Sequence, residues 1–164
     1  MERIRTYFIQ HPRIASCLQS ATIAGFAEVT KQLWTVGDLQ FGSVLKLMIM
    51  MFFVATPFNM SLYALYDRFG LHLSTKMFLD QFVFSWIGLS LQISTLHILN
   101  ANSITSLPGR IFSVELIHVI KASWMIWIPA KITMFTVVPQ SHIILFQSMV
   151  AFIWQIHLSM QYNM

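Results

Sequence analysis

LMIMMFFVATPFNMSLYALY, residues 47–66, carries no formal charge from end to end, and its reading decides the fold. The run reaches the roughly 20 residues that an α-helix needs to cross the hydrocarbon of a bilayer at about 1.5 Å per residue. Two further stretches, residues 81–109 and everything after Lys131, are equally free of Asp, Glu, Lys and Arg. Soluble domains carry about 25% charged residues. This 164-residue chain carries 10%, against 56% apolar side chains that include 14 Phe and 11 Met. It lacks the groups needed to wet its own surface. The fold class that follows is all-α, a polytopic membrane helix bundle whose first partner is the lipid bilayer.

Working outward, the charge-free run belongs to a helix expected over residues 43–66, kinked at Pro57 and ended by Asp67, Arg68 and Gly70. A preceding helix is expected over 14–34, after Pro12. Its Ser16, Ser20, Ala24, Glu28 and Gln32 recur every four residues and form one ridge, while Ala21 and Gly25 give a small-residue step for close backbone approach. A third helix is expected over 76–99, with Gln81, Ser85, Gly88, Gln92 and Thr95 on a single small and polar stripe. Residues 100–109 read as a loop. The segment 111–138 is apolar but holds Glu115, Lys121, Lys131 and Pro129; it spans, or is tilted, broken or partly interfacial. Pro139 opens a last span over 140–160, in which Ser148, Ala151, Gln155 and Ser159 share a face. Four apolar spans plus the charged helix thus form one domain, residues 1–164, and the Lys/Arg asymmetry puts the amino terminus on the matrix or cytosolic side.

Composition also excludes classes of function. The net charge of +4 is too thinly spread for a nucleic-acid surface. The single Cys17 excludes an internal disulfide framework, and His118, His142 and His157 lack metal-ligand spacing. No cofactor, metal or catalytic constellation is expected, so the chain reads as a non-enzyme. No apolar leader ending in a small-residue cleavage site is read at the amino terminus, and Glu2 speaks against a mitochondrial presequence.

An ordered set of short motifs resembles one family over nearly the whole chain. His11-Pro12 is followed by Gly25-Phe26-Ala27-Glu28 with Gln32, similar to a Gly-x-Gly-Asp…Gln pattern. Pro57, Tyr63 and Asp67-Arg68-Phe69 resemble its Gly-Pro…Trp-Tyr…Leu-Asp-Arg, and Leu79-Asp80-Gln81 its Asp-Gln. Trp127, Phe135 through Pro139, Trp154 and Leu158-Ser159 follow its Trp-Pro…Asn-Phe…Val-Pro…Trp…Leu-Ser. The chain resembles the Mpv-seventeen and peroxisomal membrane protein family of small organellar membrane proteins. The resemblance implies an organellar membrane, with the mitochondrial inner membrane preferred to the peroxisomal one, and a channel-like role. The chain departs from the pattern at Lys131, Met134 and Ile143, where the family has Gln, Asn and Arg; this puts the role, not the fold, in question. The rival reading is a non-catalytic accessory subunit of a larger mitochondrial inner-membrane complex, partnered by other membrane subunits or by its own copies.

For the polar positions two readings stay open. Glu28 and Gln32 line a hydrated path or sit hydrogen-bonded near a membrane surface, with Lys31 one turn from Glu28. Lys131 flanks a path and favours anions, or it snorkels, or it pairs with Glu115, Asp80 or a partner's acid. Asp67-Arg68 and Asp80-Gln81 cap helix ends or gate. Gln81, Gln92 and Gln155 belong to packing stripes or to a pore.

Overall fold

The computed structural model describes residues 10–35, 37–102, 105, 107–111 and 114–162, and their side chains except at 110–111, 114–117, 155 and 158–162. Among the described residues the structure is all-helical. Helix α1 is Pro12–Thr35, α2 is Phe41–Arg68, α3 is Leu73–Leu99, α4 is Leu107–Ile111, α5 is Val114–Thr136 and α6 is Ile143–Tyr162, the last preceded by a 3₁₀ turn at Gln140–His142. Of these, α2 and α3 are long and apolar enough to cross a membrane, and Gln140–Trp154 is a shorter apolar helix. Helix α5 takes up most of the expected helix over 111–138, with Pro129 inside it, while α4 replaces the end of the loop expected over 100–109.

Helix α1 lies against both α2 and α6, α2 packs on α3, and α5 touches α3 and α6. The buried face of α1 is the four-residue ridge read from sequence: Ser20, Ala24, Glu28 and Gln32 are all buried, as are Ala21 and Gly25. Small side chains there let α2 approach closely. A Cβ built on Gly25 would stand 2.9 Å from Met48 Sδ.

Two stretches leave α-helical geometry. Met51–Ala55 widens into a π-turn immediately before Thr56-Pro57, and the Thr56 amide bonds back to the Met51 carbonyl. Proline has no N–H and its ring crowds the carbonyl four residues earlier; a widened turn removes that conflict, so Pro57 acts through the backbone before it. The second π-turn, Leu79–Phe84, is held by the Ser85 hydroxyl, which donates at 2.6 Å to the carbonyls of Asp80 and Gln81. It brings two neighbouring polar residues, Asp80 and Gln81, to buried positions.

At the α2–α3 turn Gly70 has φ +55°, and the Leu71 amide reaches the Tyr66 carbonyl at 3.2 Å. That left-handed cap reverses the chain within a few residues, a conformation glycine adopts without steric cost. The outward faces are strongly apolar: Phe53, Phe78, Phe82, Ile87, Leu91 and Ile98 are all exposed in the isolated chain. Such a surface suits hydrocarbon, not water.

The contact at Gly25 sets a graded expectation. Gly25→Ala meets only the flexible end of Met48 and should shift the unfolding midpoint in detergent little. Gly25→Ile forces α1 from α2 and should cost about 1–3 kcal/mol. Equal effects of the two substitutions would refute close packing at this position.

Candidate functional site

The polar interior centres on Lys131, which α5 carries into contact with α2 and α3. Its ammonium group donates to the Tyr63 hydroxyl at 2.5 Å and lies 3.1 Å from Asp80 Oδ2. Tyr63 in turn donates to Gln147 Oε1 on α6 at 3.0 Å, and Gln81 Nε2 stands 3.5 Å from Asp80 Oδ2. Lys131 is 5% exposed and Asp80 and Tyr63 are each 7% exposed. Four helices therefore meet through one hydrogen-bonded chain.

Rings surround the charge. The Lys131 ammonium lies 4.9 Å from the Tyr63 ring centroid, 5.7 Å from that of Trp127 and 5.9 Å from that of Phe135. Tyr63, Tyr66, Phe84 and Phe135 form a connected cluster with centroid separations of 5.9–6.2 Å. Leu62 and Met134 complete its apolar packing. Aromatic faces attract cations and exclude water, which offsets part of the cost of taking an ammonium from solvent.

On one side of these rings are two recesses. The larger, about 340 Å³, is lined by Arg13, Cys17, Ser61 and Pro57; the smaller, about 190 Å³, by Tyr66, Lys76, Met134 and Phe135. Tyr63, Asp67, Gln140 and Ile143 line both. Asp67 receives Lys76 at 3.2 Å and Gln140 Nε2 at 2.6 Å. The buried Tyr66 hydroxyl has no hydrogen-bond partner among the described residues.

A separate cluster lies toward the end of α1. Lys31 Nζ is 2.6 Å from Glu28 Oε2, Gln32 Nε2 donates to Glu28 Oε1 at 2.8 Å, and Gln32 Oε1 accepts the Gln40 amide at 2.6 Å. Glu28 is thus neutralised within its own helix, and Gln32 anchors the connection to α2.

The structure sorts the sequence candidates. Lys131, Asp80, Gln81, Tyr63, Phe135 and Trp127 come together; Asp67 stands at the recess; Glu28, Gln32 and Gly25 belong to the α1 face. Gln92 is half-buried farther along α3, and Arg68 is exposed at the end of α2. Pro139 accepts the His142 amide at 2.8 Å, starting the turn into α6. Trp154 rests beside His157, with ring centroids 5.9 Å apart. The side chains of Gln155, Ser159 and Glu115 lie outside the described ones. One placement corrects the sequence reading: Asp80 and Gln81 do not cap a helix end but sit inside α3, because α3 begins at Leu73 and its π-turn directs both inward. Gln147 and Tyr66 were not singled out from sequence. Gln147 stands one residue before Ser148 and one turn before Ala151, at the edge of the α6 stripe, and no spacing in the sequence marks Tyr66. Among the described residues no three His, Cys, Asp or Glu side chains converge as metal ligands.

The family described as Mpv17 / PMP22 matches residues 109–159, the stretch that contains Lys131 and Phe135. PXMP2/4 family protein 2 of Dictyostelium discoideum is 31% identical over 85 residues, which cover 51% of this chain and 43% of that relative. Together these matches support the Mpv17 / PMP22 family as the one this chain resembles. They support a membrane protein with helical character. The matched segment spans less than half of the relative's length. No solved structure matches.

A charge pair this deep yields a clear energetic expectation. Lys131→Met leaves Asp80 buried without its cation and should destabilise the protein by about 3–5 kcal/mol, whereas adding Asp80→Asn should restore much of the loss. Thermal or denaturant unfolding of both variants in mild detergent measures the coupling. Additive losses would mean that the two side chains do not act as a pair.

Proposed function

We propose that this chain conducts small hydrophilic solutes through a membrane and performs no chemistry on them. The observation that carries the reading is the Lys131–Asp80–Tyr63 cluster, enclosed by aromatic rings, with Tyr63 also lining two recesses that share Asp67, Gln140 and Ile143. An ion pair buried among packed helices is weak support for stability, since hydrophobic replacements often serve as well. Ionisable groups at membrane depth more often mark a route for solute or ions. The aromatic cluster is the closed constriction of that route, and the recess holding Asp67, Lys76 and Gln140 is its vestibule.

In this reading α1, α2, α3 and α6 cross the bilayer, and α5 crosses with them because Lys131 must reach Asp80. Lipid covers the exposed apolar faces of α2 and α3, and further copies of the chain widen or complete the route. The membrane is organellar. The relative's printed name, PXMP2/4 family protein 2, speaks for a peroxisomal membrane, and nothing in the comparisons favours the mitochondrial inner membrane. Neither the geometry nor the relatives favour an accessory-subunit role.

Proteoliposomes containing the purified full chain, loaded with neutral and charged solutes of graded size, provide the test. The smallest solutes should leak faster than from protein-free vesicles, and the rate should change when Lys131→Met and Asp80→Asn are combined. Vesicles that stay tight to every solute across a range of protein densities would end the conduction reading.

A further inference from the structure

The ring of Phe135 is approached by two cations. Lys76 Nζ lies 5.9 Å from its centroid on the vestibule side, and Lys131 Nζ lies 5.9 Å from the same centroid within the bundle. Each ammonium is held by a carboxylate, Lys76 by Asp67 at 3.2 Å and Lys131 by Asp80 at 3.1 Å. Each pair has one further polar partner: Gln140 Nε2 donates to Asp67, and the Tyr63 hydroxyl accepts from Lys131. Arg13 adds a third cation at the adjoining larger recess, which shares Asp67 and Gln140 with the vestibule.

We infer that the solutes are small anions, handed from Lys76 to Lys131 past Phe135, with Asp67 and Asp80 occupying the two ammonium groups when no solute is present. The inference rests on the conduction reading above and names its substrate class. Two features favour anions over cations. Three basic groups face two carboxylates along the route, so the resting site has a positive surplus that attracts negative solutes. The cations also sit on long flexible stems with three rotatable donors each, whereas the aspartates are short and fixed near the backbone. An ammonium can therefore release its carboxylate and follow a passing anion. A passing cation would instead have to draw a short carboxylate toward it. The resting pairs show that an oxyanion fits each ammonium, because Asp67 and Asp80 already present carboxylates there.

Planar bilayers containing the full chain, bathed in a gradient of potassium acetate, separate the possibilities through the reversal potential. The wild-type chain should pass acetate in preference to potassium. Lys76→Gln should lower the acetate-to-potassium permeability ratio roughly fivefold and Asp67→Asn should raise it by a similar factor. Lys131→Met combined with Asp80→Asn should reduce the acetate current while the protein stays folded. Lys46→Gln, which removes an equal charge from a side chain bonded to Asn100 at 2.7 Å away from the route, should leave the ratio unchanged. Potassium preference in the wild type, or a ratio that ignores both Lys76→Gln and Asp67→Asn, would overturn anion selectivity while leaving conduction standing. Absence of any protein-dependent current would overturn conduction itself and this inference with it.

Discussion

A single buried contact, Lys131 against Asp80, sets the terms for the arrangement of helices around it. Taking an ammonium and a carboxylate out of water costs several kcal/mol for each ion, and their attraction offsets that only when geometry and hydrogen bonding are good. Here Tyr63 and Gln81 supply further polar contacts, and Gln147 extends the chain to α6. Because the pair joins α5 to α3, and Tyr63 joins α5 and α6 to α2, none of these helices can rotate or slide far without exposing a charge to an apolar surrounding. The pair fixes register more than it adds stability.

The departures from regular helix serve the same constraint. In an unbroken α-helix Asp80 and Gln81 would project about 100° apart. The π-turn at Leu79–Phe84, stitched by the Ser85 hydroxyl, brings both to the interior beside Lys131. The turn at Met51–Ala55 does comparable work for Pro57, so α2 continues to Tyr63 and Tyr66 without a break. The first irregularity relieves the conflict at Pro57, and the second accompanies the burial of Asp80 and Gln81 beside the central cluster.

The same arrangement gives the proposed route its character. Aromatic rings fill the space between four helices, which agrees with the dense centre expected of a small bundle. Any opening of such a route would move rings and lysine stems together, because the charge pair and the aromatic cluster share Tyr63 and Phe135. The α1 cluster of Glu28, Lys31 and Gln32 stands apart from this centre. It neutralises its charge within one helix and ties the chain leading into α2.

Long charge-free runs by themselves determined that the chain is helical and membrane-embedded, because water cannot solvate such stretches and hydrocarbon cannot solvate an unpaired backbone. Four-residue spacing likewise determined the buried ridge of α1, since periodicity is a property of one helix taken alone. The sequence also offered Asp80 as one of several partners for Lys131. Only the tertiary structure chose it, because residues separated by fifty positions acquire a distance only when their helices pack. The inward turn of Asp80, the reach of Tyr63 to Gln147, and the approach of two lysines to Phe135 depend on π-turns and crossings that no regular periodicity encodes. Hydrophobic pattern specifies which environment a segment occupies; the pairing of its rare polar groups is decided where several segments meet.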